Sequence, residues 1–158
     1  MKICFVCLGN IVRSPLAEGL FRHLAEERGV GDRYQVDSAG TSAFHAGEEP
    51  DPRMRKVARR KGLEYTGRSR QFQAEDFDRF DLIIAMDSDN RRQLRSLASS
   101  PEDREKIRML REYDPLDGDD QGVPDPYYGG IQGFEKVYEI VRRSTENLLD
   151  QLEADERS

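Results

Sequence analysis

Apolar positions along this chain follow two rhythms. Short continuous runs at Lys2–Cys7 and Leu82–Met86 predict strands buried on both faces. Tyr34–Ser38 and Ile107–Leu110 add two further strands. Between them, apolar residues recur at helical spacing. Leu16, Leu20, Phe21 and Leu24 define a first helix, with Ser14 as its cap, Pro15 in the first helical position, and Gly29 and Gly31 closing it. Pro52–Lys61 predicts a basic helix stopped by Gly62, and Ser88–Leu97 a helix with Asp87 near its start. Ile131–Leu152 predicts the last helix, with Phe134, Val137, Tyr138, Val141, Leu148 and Leu149 on its apolar side. Ala39–Glu49 and Asp114–Gly130 are expected as loops. The second is long enough to point to function.

Strands alternating with helices imply crossovers and a parallel, largely buried sheet. The expected fold is α/β, a three-layer α/β/α arrangement with a central four-stranded parallel sheet of Rossmann-like kind. Ligands of such sheets bind at the carboxyl ends of strands, where the strand order reverses. The loop between the first strand and the first helix is therefore the stretch to inspect.

Composition narrows the field. At roughly 100–200 residues per domain, 158 residues predict a single domain over 1–158. A net charge of −6 argues against a general nucleic-acid binder, which needs a basic face. No apolar run approaches the roughly 18–20 residues of a membrane span, and no signal peptide or lipidation pattern is visible. The expectation is a cytoplasmic protein with no membrane partner. Cys4 and Cys7 are its two cysteines, which excludes a disulfide framework. They form C-x-x-C, but on one extended strand their Cα atoms would stand roughly 10 Å apart and the side chains on opposite faces. A disulfide needs less than about 7 Å. Cys4 is expected as a small core residue.

The candidate chemistry lies in Cys7-Leu8-Gly9-Asn10-Ile11-Val12-Arg13-Ser14-Pro15, a C-x5-R-S between strand and helix. A loop entering a helix N-terminus turns several backbone N–H groups into one concavity. Gly9 and Asn10 are residue types that tolerate left-handed backbone angles. Arg13 adds a planar fork for two phosphate oxygens. Residues 8–14 thus form a candidate dianion cradle with Cys7 at its rim. The positive field favours the thiolate, a nucleophile for phosphoryl transfer, and Ser14 is placed to hydrogen-bond the sulfur. Ester cleavage also needs a proton donor for the leaving oxygen. Asp125, between Pro124 and Pro126 on the long loop, is the candidate, although the residues alone favour an ordinary Asp-Pro turn.

With these motifs in hand, the chain resembles the low-molecular-weight protein tyrosine phosphatases over essentially its whole length. V-C-L-G-N-I-V-R-S-P at 6–15, D-S-A-G-T at 37–41, P-D-P-R at 50–53, F-D-L-I-I-A-M-D at 80–87 and D-P-Y-Y at 125–128 are similar to the family's blocks, in its order. The resemblance implies that Cys7 attacks phosphorus, that Arg13 and the loop amides hold the oxygens, and that Asp125 serves as acid and then base. It implies no metal and no cofactor. Asn10, Ser14, Ser38 and Asp87 match positions that brace the loop. Leu8, Ile11, Phe44, Tyr127 and Tyr128 match positions lining the cleft, with His45 at its rim. The implied partner is a phosphotyrosine-containing protein, a bacterial tyrosine kinase being one candidate, with phosphate or another oxyanion in the loop.

The chain departs from the family pattern at two places. Val12 stands where relatives commonly carry a second cysteine, so no protective disulfide can form there. Gly67 stands where many relatives place a supporting histidine. Four other readings stay in view. Phosphoarginine phosphatases resemble this loop but carry Thr at the place of Ile11. Arsenate reductases need resolving cysteines that this chain lacks. A cysteine phosphocarrier would not need the Arg13–Asp125 pair. A non-catalytic phosphotyrosine-binding module is the fourth.

Overall fold

Lys2–Cys7 forms strand β1, and every residue after Lys2 in it is buried. The structure, a computed structural model, describes residues 1–116, 122–127 and 129–157, without the side chain of Arg157. After β1 come helix α1 (Arg13–Glu27), strand β2 (Gln35–Gly40), helix α2 (Pro52–Arg60), helix α3 (Asp76–Arg79) and strand β3 (Leu82–Ala85). Helix α4 (Ser88–Leu97), helix α5 (Pro101–Glu105), strand β4 (Ile107–Met109) and helix α6 (Ile131–Arg157) complete the order. The sheet is parallel throughout, ordered β2-β1-β3-β4. The chain leaves β1 toward one side and later returns to the other. The carboxyl end of β1 is therefore the switch point where a ligand crevice opens.

Alternation along the strands builds the two outer layers. Ile3, Phe5 and Cys7 of β1 point with Ile84 into a core shared with α1, α2 and α6. Cys4 and Val6 point the other way, with Ile83 and Ala85, against Phe77 of α3 and Leu94 of α4. Period-two side-chain direction in a strand separates Cys4 from Cys7. Both are free thiols. Burial pushes the Cys4 thiol pKa well up, as befits an inert core residue. No helix among the described residues is long and apolar enough to cross a membrane.

Some details differ from the pattern-based expectation. Strand β2 begins later than Tyr34 and runs on to Gly40, because Ala39 and Gly40 are small enough to lie beneath the loop after β1. A Cβ on Gly40 would meet the Leu8 carbonyl oxygen at 2.7 Å. Helices α3 and α5 span 4 and 5 residues, too short for periodicity to reveal. Leu110 leaves the fourth strand for a 3-10 turn, Leu110–Tyr113.

Candidate active site

The loop from Cys7 to Arg13 is bound from outside by its carbonyls. The oxygen of Cys7 accepts from the amide of Thr41 at 2.9 Å, that of Leu8 from Ser42 at 3.0 Å, and that of Ile11 from Asp51 at 2.7 Å. The Gly9 oxygen accepts from Ser69 Oγ at 2.9 Å. No peptide bond here is cis. In a trans peptide the N–H points opposite the C=O. Pulling these carbonyls outward turns the N–H groups of Leu8, Gly9, Asn10 and Val12 inward. The Asn10 amide illustrates this: it donates to Cys7 Sγ at 3.3 Å.

Cys7 thus sits on the floor of a ring of donors. Its sulfur is also hydrogen-bonded to Ser14 Oγ, 3.0 Å away. The expected cap role of Ser14 is not what the structure shows. Helix α1 starts at Arg13, Val12 precedes it without a side-chain cap, and Ser14 turns toward the sulfur instead. Asn10 is the hub of the bracing. Its Nδ2 donates to Ser14 Oγ at 2.9 Å and to Ser38 Oγ at 3.0 Å, and its Oδ1 accepts the Arg70 amide at 3.0 Å. Asn10 takes a φ of 56°, the left-handed conformation expected of the loop. Gly9 does not share it. Its lack of a side chain serves close approach, since a Cβ there would stand 3.0 Å from the His45 ring.

Arg13 is buried and enters the site from the helix start. Nη1 donates to Asp87 Oδ2 at 2.6 Å and to the Val123 carbonyl at 2.9 Å, while Nη2 stands 3.6 Å from Asp125 Oδ2. Burial works against the guanidinium's charge, but Cys7, Asp87 and Asp125 outweigh it and hold its pKa above the ordinary value. Asp87 does two jobs: its other oxygen accepts the Asn90 amide at 2.8 Å and caps α4.

Asp125 arrives on a segment latched to the sheet end. The Val123 amide donates to the Met86 carbonyl at 2.7 Å. Gly122 has a φ of 78°, and a Cβ there would stand 2.8 Å from Asp87. Only glycine fits that left-handed close approach. Beyond it Asp125 is exposed, its Oδ1 accepting the Tyr127 amide at 3.1 Å.

A cavity of about 410 Å³ opens above Cys7, walled by Leu8, Gly9, Ile11, Val12, Arg13, Ser42, Phe44, His45, Asp125 and Tyr127. Leu8 and Phe44 are exposed at its mouth, while Ile11 and Val12 are buried in its wall. The expected cleft residues Leu8, Ile11, Phe44 and Tyr127 thus meet at one cavity; Tyr128 lies outside the described residues. His45 is a rim residue, its Nδ1 2.8 Å from Glu48 Oε2. A cavity of about 510 Å³ beside Arg111, Lys136 and Arg143 contains none of the expected site residues.

Residues 2–158 match the profile of the low molecular weight phosphotyrosine protein phosphatases. The chain belongs to this family. It is 47% identical over 149 residues to a low molecular weight protein-tyrosine-phosphatase of Streptomyces coelicolor, covering 94% of this chain and 91% of that protein. The structure of a protein tyrosine phosphatase from Entamoeba histolytica, with Hepes in its active site, superposes with a TM-score of 0.93 at 39% identity, covering 99% of both chains. A Drosophila arginine phosphatase superposes with a TM-score of 0.88 at 35% identity, covering 96% of this chain and 98% of that one.

Several residues of this phosphatase-family site escaped sequence reasoning. Ser69 and Arg70 support the loop although Gly67, at the start of their block, has no side chain to do so. Glu18 accepts from Ser38 Oγ at 2.7 Å, and burial pushes its carboxyl pKa upward. Gly40, Gly122 and Val123 act through backbone. The quoted blocks contain Gly40 and border the others, but side-chain patterning does not report which carbonyl a residue must hold.

Proposed function

We propose that this chain hydrolyses protein phosphotyrosine and small aryl phosphates through a phosphocysteine intermediate. The observation that carries the reading is the ring of inward amides around Cys7 with Arg13 beside it. The Cys7 thiolate attacks phosphorus while Arg13 and the amides hold the equatorial oxygens. Preorganised donors of this kind stabilise charge as it develops in the transition state. The bond from phosphorus to the aryl oxygen breaks, and Asp125 gives that oxygen its proton. Water then attacks the phosphocysteine, Asp125 takes a proton from it, and the sulfur leaves as thiolate. Ser14 donates to the sulfur at that step. Arg13 and the amides supply the positive charge that a metal would otherwise bring.

Depth and wall chemistry support an aryl substrate. Ile11 and Tyr127 wall the cavity above Cys7 and suit a flat aromatic ring, which on this reading carries phosphorus to Cys7 where a short phosphoserine would not. The structural likeness to an arginine phosphatase favours a second reading, phosphoarginine hydrolysis. Ile11 speaks against it, since an apolar wall offers no hydrogen bond to a polar phosphoguanidinium. Residues 1–158 would act as one domain in the cytoplasm, where the Cys7 thiol stays reduced. A phosphotyrosine protein, a bacterial tyrosine kinase among the candidates, would be the partner.

The test is hydrolysis of p-nitrophenyl phosphate at about pH 5–6 with chelator present, wild type against Cys7→Ser. Turnover by wild type and none by Cys7→Ser is the expected result. Retained turnover in Cys7→Ser would remove the covalent mechanism. Phosphotyrosine and phosphoarginine peptides compared side by side decide between the two substrates.

A further inference from the structure

Arg53 lies outside the cavity, yet it joins the two sides of the cleft. Asp51 is tied to the phosphate loop, its amide donating to the Ile11 carbonyl at 2.7 Å. The Asp51 carboxylate in turn receives Arg53 three times: the backbone amide at 2.8 Å and Nε at 3.1 Å on Oδ1, and Nη2 at 2.9 Å on Oδ2. That two-pronged grip fixes the guanidinium plane. Cζ then stands 4.6 Å from the ring centroid of Phe134, a buried residue of α6, and 5.3 Å from that of Tyr127. Both distances are within cation–π range. Tyr127 donates its amide to the Asp125 carboxylate at 3.1 Å.

We infer that Arg53 is a positioning residue for the proton donor: pinned to the phosphate loop through Asp51, its guanidinium holds the Tyr127 ring and thereby sets Asp125 over Cys7. The inference rests on the reading of Asp125 as general acid. The ion pair with the buried Asp51 ties Arg53 only to the phosphate-loop side. What distinguishes Arg53 is the shared grip on two rings from different segments. Lysine, a point charge without a planar fork, can satisfy Asp51 but cannot hold the same plane over both rings.

The experiment compares kcat/KM for p-nitrophenyl phosphate, phenyl phosphate and phosphotyrosine in wild type, Arg53→Lys, Arg53→Met and Asp125→Asn. This parameter includes the step that expels the leaving group. Nitrophenolate leaves readily without a proton, whereas phenolate and tyrosinate need one. Arg53→Met is expected to lower kcat/KM about five- to tenfold for phenyl phosphate and phosphotyrosine, but about twofold or less for p-nitrophenyl phosphate. Arg53→Lys should fall between Arg53→Met and wild type, and it carries the test if Arg53→Met fails to fold. An equal loss on all three substrates, or no loss on any, overturns the inference. Asp125→Asn separates the two claims. If it steepens the leaving-group dependence and the Arg53 variants do not, only the positioning role fails. If it leaves that dependence unchanged, the general-acid reading fails as well.

Discussion

The two segments that meet over Cys7 are held in opposite ways. The phosphate loop is locked: its residues after Gly9 are buried, its carbonyls are bound from outside, and its one left-handed residue is a buried asparagine with three side-chain hydrogen bonds. The segment bearing Asp125 is gripped at its base and left open at its tip. Val123 and Gly122 are buried against Met86 and Asp87, whereas the Asp125 side chain is 42% exposed. The opposite rim is barer still, with Phe44 85% exposed. The contrast suits the proposed chemistry. Stabilising a phosphoryl transition state requires several dipoles fixed before the substrate arrives. Protonating a leaving oxygen requires one hydrogen bond, which different leaving groups reach at slightly different places.

The harshest test of this contrast is Asn10→Ala. It removes the link between Ser14, Ser38 and Arg70 and places alanine at a φ of 56°. Turnover is expected to fall by about 10²-fold or more, as when a preorganised donor is lost from an anion site. Stability should fall by about 2–4 kcal/mol, measured by urea unfolding, because buried partners lose their hydrogen bonds. Activity within about threefold of wild type would mean that the loop needs no such bracing.

How much of this was legible beforehand differs between the two segments. C-x5-R-S between strand and helix exposed the phosphate loop, because nucleophile, arginine and helix start are neighbours in sequence. Asp87 and Ser38 also emerged, through the family resemblance. The residues that hold the loop from outside did not. Ser69 and Asp51 reach across tens of residues to its backbone, and the Arg70 amide to the Asn10 side chain, contacts that no side-chain pattern records. Arg53 read as part of a basic helix; its position over two rings exists only after α6 is packed. Gly9 was assigned a conformational role, yet what it provides is room for the His45 ring.

An effect on stability rather than turnover, and a pH-dependent one, is expected at the base of the segment that carries Asp125. Asp114 is buried, its carboxylate receiving Arg143 Nε at 2.7 Å and Nη2 at 3.1 Å and the Leu116 amide at 2.9 Å, with Arg111 alongside. Burial pushes its pKa up, but Arg143, the Leu116 amide and Arg111 outweigh that and leave it below the ordinary carboxylate value. A group with a depressed folded pKa stabilises fully above its unfolded pKa and loses that contribution as pH falls through the folded value. Asp114→Asn should therefore cost about 2–4 kcal/mol at pH 7. The gap to wild type should narrow as the pH falls below about 4. Thermal unfolding across that range checks the sign. A gap independent of pH would remove the ion pair as its cause.

The gentlest change falls on the open rim. Phe44 packs edge-on against His45 at 4.8 Å and is otherwise bare, so Phe44→Ala should alter stability by no more than about 0.5 kcal/mol. Its ring becomes useful only when a substrate covers it. KM for a phosphotyrosine peptide should then rise about three- to tenfold, with kcat nearly unchanged, because an exposed aromatic contributes binding shared by ground and transition states. p-Nitrophenyl phosphate, too small to reach the mouth of the cleft while seated in the loop, should show less than about a twofold change. A fall in kcat on both substrates would place Phe44 among the residues that shape the reacting geometry. The rim would then be as tightly specified as the phosphate loop, and its exposure would no longer mark it as the side that adapts to the substrate.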